Sequence, residues 1–169
     1  MQSGGAIQTG DAPDHSGGRG SSGGTPRPNE DLRLWVRLLS CAKVIEKRLR
    51  RNFADEFDTT LPRFDVMAAL DRAGEPLSMS ALSQALLVSG GNVTHVVRQL
   101  VTDGLVETAP SPDDARSALV SLTAEGSALF ADLAAAHQRW VTQSLGTMPP
   151  ESRSALLTLL SELRGQLDR

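Results

Sequence analysis

The apolar residues of this chain keep one spacing, lose it once and regain it. From Trp35 to Leu100 they recur at three- and four-residue steps, the step is two in "LVET" and "ALVSLT", and the longer step returns from Leu129 onward. A period near 3.6 calls for helices with one buried face, and a period of two calls for strands. One hairpin set between helices restricts the chain to a mainly α fold with a small β-hairpin, an α+β arrangement.

The elements follow from that spacing. Trp35, Leu38, Leu39, Ala42, Ile45, Leu49, Phe53 and Phe57 form the stripe of a long first helix, a core or dimer-interface face. "TTLPRFDVMAALDRAG" predicts a second helix, with Pro62 in its first turn, Val66 and Leu70 inward and Gly74 ending it. Ser78 is placed to cap a third helix through Leu82 and Leu86. Ser89 is placed to cap a fourth, which buries Val93, Val96, Val97 and Leu100 and stops at Gly104. The two strands then follow, joined by a Pro-Ser-Pro-Asp-Asp loop too long for a tight turn. Thr123 opens a fifth helix through Leu129, Phe130, Leu133, His137, Trp140 and Val141, and "TMPPE" opens a sixth with a stripe of Leu156, Leu157, Leu160, Leu163 and Leu167. The reading is six helices and one hairpin.

Composition sets the bounds. The 169 residues are one domain's worth, or a domain with a tail, and residues 1–29 hold eight of the fifteen glycines with hardly any apolar side chains. Such a stretch is predicted to be a disordered Gly/Ser-rich tail, because it cannot bury enough surface to offset its ordering entropy. Residues 30–169 form the domain. Hydrophobic residues make up 40% but aromatics only 4%, so the core must be mainly aliphatic. A single cysteine cannot make an internal disulfide, the first residues lack a basic and apolar leader, and no apolar run reaches the roughly 20 residues of a bilayer span. The expectation is a cytoplasmic protein without membrane contact.

The formal charge of −3 argues mildly against non-specific nucleic-acid binding, but its distribution matters more. Between Pro76 and Thr102 there is no Asp or Glu, where even scatter would place roughly three. Chance in a Ser-rich apolar segment accounts for this, and so does a surface kept clear for phosphate.

Two helices joined by a short Gly-containing turn make a helix-turn-helix, whose second member enters the DNA major groove. Ser89, Gly90 and Gly91 let the backbone approach phosphate and offer free N–H groups. Asn92 and Thr94 suit phosphates or base edges, and His95 and Arg98 lie one and two turns further in, Arg being fit for bidentate contact with guanine. The same pair would also serve as a capped helix in a bundle. The hairpin directly after it shifts the balance towards a wing, whose tip carries Arg116 for the adjacent minor groove. Asp113 and Asp114 suit no DNA contact, and Asp114 is expected to brace the loop by pairing with an arginine.

"LPRFDVMAAL", "LSQALLVSGGNVTHVVRQLVTDGLV", "DDARSALVSLTAEG" and two closing helices, in this order from about Leu32 to Leu167, resemble the MarR (multiple antibiotic resistance regulator) family of winged helix-turn-helix proteins. The resemblance implies a winged helix-turn-helix over about 60–123 and dimerisation helices over about 31–57 and 124–168. It implies a homodimer on a pseudo-palindromic double-stranded DNA operator, acting as a repressor of neighbouring genes. Release follows binding of a small anionic, aromatic or phenolic effector, or oxidation. Ser89, Asn92, Thr94, His95 and Arg98 match reading-helix positions and Arg116 the wing arginine. The family often has Arg where His95 stands, and two adjacent arginines where this chain has Ala115 and Arg116. Fewer cations imply fewer phosphate contacts and a shallower salt slope.

The same resemblance bears on sensing. One branch of the family, responsive to urate-like anions, uses a Trp of the first helix, an acid of the second and nearby arginines; Trp35, Asp65 and Arg63 stand in comparable places. Cys41 lies several residues off the reactive cysteine of the peroxide-sensing branch and the chain has no Tyr to activate it, so it is expected to be a buried, inert thiol. No metalloprotease, Walker or dinucleotide motif occurs, and the three histidines are too scattered for a metal site. The expectation is no enzyme, no metal and no cofactor. The competing reading is a winged-helix protein–protein interaction module that does not bind DNA.

Overall fold

The computed structural model describes residues 29–86, 93–111 and 118–168. Two compact units are distinguished, Met1–Arg37 and Leu38–Arg169. The described part of the first is the opening of helix α1 (Glu30–Phe57), where Glu30 and Asp31 face the positive end of the helix dipole. Leu32, Leu34, Trp35 and Val36 are exposed there.

In the second unit α1 continues, and its buried residues are Leu49 and Phe53. The stripe read from the sequence is buried only towards its C-terminal end: Leu39 is exposed, and Ile45 and Phe57 are half-buried. Cys41 is exposed, which corrects the expectation of a buried thiol. It sits one residue, about 100° of helix rotation, away from the Ala42–Ile45–Leu49 line.

Helix α2 (Leu61–Ala73) has Pro62 in its first turn, buries Val66 and Leu70, and ends where the Gly74 N–H bonds the Leu70 and Asp71 carbonyls. Strand β1 (Leu77–Ser78) precedes helix α3 (Met79–Ala85). Ser78 caps α3, its Oγ accepting from the Ala81 N–H at 3.1 Å. Helix α4 (Val93–Thr102) buries Val97 and Leu100, with Val93 and Val96 half-buried. The Ser89 cap lies outside the described residues.

Strands β2 (Val106–Pro110) and β3 (Ala118–Leu122) pair antiparallel from Val106↔Leu122 to Pro110↔Ala118. The sheet has three strands rather than the two of a plain hairpin, because β1 adds to β3 through Leu77↔Val120 and Ser78↔Leu119. Two residues carry no readable alternation, so this strand exists only through its tertiary partner. The order β1-β3-β2 leaves β2 at the edge, where Pro110 can lack a backbone donor without breaking a ladder.

Thr123 caps helix α5 (Ala124–Leu145), accepting from the Gly126 N–H at 3.0 Å while its own hydroxyl donates to the Gly104 carbonyl at 2.8 Å. Helix α6 (Pro150–Leu167) closes the chain with no buried residue. Aromatic side chains gather where α1, α2 and α5 meet: Phe53 lies 4.8 Å from Phe64 and 4.9 Å, edge-on, from Trp140. The Trp140 ring N–H donates to Glu56 at 3.0 Å, so its polar end is satisfied. An aliphatic layer of Met67, Leu82, Leu100, Val106 and Val120 lies under the helix-turn-helix and the sheet. This is the mainly helical, three-stranded winged-helix fold.

Candidate nucleic-acid interface

Helix α4 is amphipathic across its whole length. Val97 and Leu100 face the core, while Thr94, His95 and Arg98 are exposed. On a 3.6-residue helix Thr94 and Arg98 lie four apart and His95 and Arg98 three apart, so the three share one face. No acidic residue stands in the first turn of α4. Gln99, which sequence reading passed over, is exposed four residues after His95 and widens that face. Its signal was available: Gln is one of two side chains suited to bidentate contact with adenine. Ser89, Gly90, Gly91 and Asn92, the rest of the expected contact set, lie outside the described residues, as does Arg116 at the wing.

The C-terminal end of α4 is held firmly. Gly104 takes φ +74°, a left-handed conformation costly for residues with a Cβ, and the Leu105 N–H returns to the Leu100 carbonyl at 2.9 Å. The chain thus passes from α4 to β2 through one tight turn, and Thr123 braces it from the far end of β3.

Of Arg63 and Asp65, expected with Trp35 at an effector site, Asp65 lines a cavity and Arg63 does not. Trp35 is exposed in the N-terminal unit. The Arg63 guanidinium is engaged with Asp103, Nη2 to Oδ2 at 2.5 Å. Asp65 lines a cavity of about 410 Å³ between α1, α2, the end of α3 and α5, with Ile45, Leu49, Phe64 and Ala68 as apolar wall and Glu46, Arg72 and His137 as further polar groups. Burial pushes the Asp65 carboxyl up to about 6; Arg50 pulls it down and Glu46 adds to the rise. Burial also lowers His137, whose ring lies 4.7 Å from Phe64. Glu46 moves the other way, held low by hydrogen bonds from Arg50 and Lys43. Among the described residues no group of three or more His, Cys, Asp or Glu could hold a metal ion, and no helix is long and apolar enough to cross a membrane.

A MarR family transcriptional regulator from Silicibacter pomeroyi has the same fold at a TM-score of 0.70 and 32% identity, over 86% of this chain and 98% of that one. The chain belongs to the MarR family. The MarR family model itself matches residues 57–117, which begin at the end of α1 and run past β2. The multiple antibiotic resistance protein MarR of Salmonella typhimurium is 31% identical over 93 residues, 55% of this chain. The match spans 64% of that relative's length. A MarR family regulator from Streptomyces coelicolor, solved in complex with DNA, shares the fold at a TM-score of 0.70 and 21% identity, over 89% of this chain and 94% of that one. MarR family transcription regulators are not enzymes.

Proposed function

We propose that this MarR family chain is a homodimeric, sequence-specific DNA-binding transcriptional regulator in the cytoplasm, a repressor of neighbouring genes. The carrying observation is the exposed Thr94–His95–Arg98 face of α4, backed by buried Val97 and Leu100 and followed within one turn by the hairpin. An interaction module would need no such row of donors on a helix kept clear of carboxylates. A major groove about 12 Å wide admits one helix, and the two α4 helices of a dimer would meet half-sites about one DNA turn apart. Ser89, Gly90, Gly91 and Asn92 would meet phosphate at the start of the reading helix, and Arg116 the minor groove.

Release by a small anionic or phenolic effector is the regulatory half of this reading, and the Asp65 cavity supports it. A phenolic hydroxyl would donate to Asp65, an anionic group would pair with Arg72, and Leu49 and Phe64 would cover a ring. A carboxyl held near pKa 6 in an apolar wall costs stability at neutral pH, as groups kept for binding do.

A titration on the DNA upstream of the chain's own gene tests the reading. Wild type is expected to bind that DNA in a salt-dependent way, with modest affinity and the shallower slope that its few cations allow. Arg98→Ala should cost about 1–3 kcal/mol on that DNA and little on random duplex. Equal loss on both would make Arg98 a phosphate contact, and no salt-dependent binding by wild type would leave the protein–protein module as the better reading.

A further inference from the structure

Arg63 stands third in α2, and a cation in the first turn of a helix opposes that helix's dipole. No acidic residue in that turn offsets it. The far end of the side chain explains its placement. Arg63 reaches Asp103, forty residues on in sequence. Asp103 directly follows α4, its N–H still bonded to the Gln99 carbonyl at 3.0 Å. Asp103 puts a negative charge where the α4 dipole disfavours one, and with no basic residue in that helix's own last turn it is Arg63 that neutralises it. The pair is partly sheltered, with the Arg63 side chain 19% and Asp103 46% exposed. The Arg63 Nε is buried without a hydrogen-bond partner among the described residues, and the contact to Asp103 is made through Nη2.

The Gly104 turn fixes where α4 ends and Val97 and Leu100 hold the helix down, but neither is a directional bond from α4 to α2. A planar guanidinium engaging a carboxylate is directional. We propose that Arg63 is a positioning residue for the reading helix: through Asp103 it fixes the angle at which α4 leaves α2, and with it the register of Thr94, His95 and Arg98 against base edges. This role rests on the DNA-reading function proposed above. It predicts a particular kind of damage. Base contacts fail when the helix tilts, whereas contacts to phosphate tolerate it, so the loss must fall on specificity.

The test compares full-length wild type, Arg63→Gln, Asp103→Asn and the double variant on the upstream DNA and on random duplex of equal length, with melting measured without DNA. Each single change is expected to lower the ratio of the two affinities about three- to tenfold, and the double variant should lose no more than either single one. The two singles change net charge in opposite directions, so a fall common to both cannot come from bulk attraction to DNA. Exchanging the partners, Arg63→Asp with Asp103→Arg, should recover most of the ratio. Variants that melt earlier yet keep the full ratio would make the pair merely structural and overturn the role. Additive losses would overturn it too. A wild type that discriminates while the variants do so equally well sinks this inference alone; a wild type that prefers neither duplex sinks the DNA-reading function and this role with it.

Discussion

At the scale of single residues, Asp65 departs furthest from the chemistry of its type. Its carboxyl is half-buried, and burial raises its pKa from 3.8 to about 6. Between those values the folded protein holds a proton that the unfolded chain has released, so this group's contribution falls as pH rises. The contribution is fully present below about 3.8 and is gone above about 6. Asp65→Asn should therefore raise the melting temperature at pH 7.5, by roughly 1 kcal/mol of stability once the solvent reaching the group is discounted. That gain should shrink as pH is lowered toward 4. A gain of the same size at every pH would assign the effect to packing instead.

At the scale of elements, the joint between the sheet and α5 is set by one close approach. Gly126 is buried in the first turn of α5, and a Cβ built there would collide with the backbone carbonyl of Leu105. In an isolated helix Gly→Ala gains about 1 kcal/mol. Here the sign should reverse: Gly126→Ala is expected to cost about 1–3 kcal/mol, because backbone must shift to admit one methyl group. Chemical denaturation reads this directly, and a stabilised variant would mean that α5 can move off Leu105 at little cost. The wing makes a second element-scale prediction. If Arg116 displaces counterions from the minor groove, Arg116→Ala should lower the salt slope of DNA binding by about one unit. An unchanged slope would confine Arg116 to bracing the loop.

For the whole molecule, the telling feature is the apolar surface exposed among the described residues. Helix α6 buries nothing, and Leu157, Leu159 and Leu167 are 68%, 62% and 73% exposed. Leucines in such number along one helix need a partner surface, which a second copy would supply. Sedimentation at micromolar concentration is expected to give twice the 18.0 kDa of one chain. A species of single-chain mass would remove the dimer and the palindromic operator with it. Replacing Leu157 and Leu160 together by Asp should yield that monomer and abolish tight DNA binding, while the aromatic cluster of Phe53, Phe64 and Trp140 stays folded.

Spacing and local chemistry were enough to determine the six helices and the two strands of the hairpin. The 3.6-residue period located the helices, Ser78 and Thr123 announced caps that the side chains do make, and Gly74 and Gly104 announced stops where the chain does turn. Each is an interaction among residues a few positions apart, so sequence carries it in full. The exposed face of α4 was legible for the same reason: burying Val97 and Leu100 leaves Thr94, His95 and Arg98 outside. Partners distant in sequence were not legible. Strand β1 exists because β3 pairs with it, and Arg63 faces Asp103 rather than joining Asp65 at the cavity. A period says which face of a helix is buried, but not against what. That depends on how helices far apart in sequence pack, and only the tertiary structure decided it.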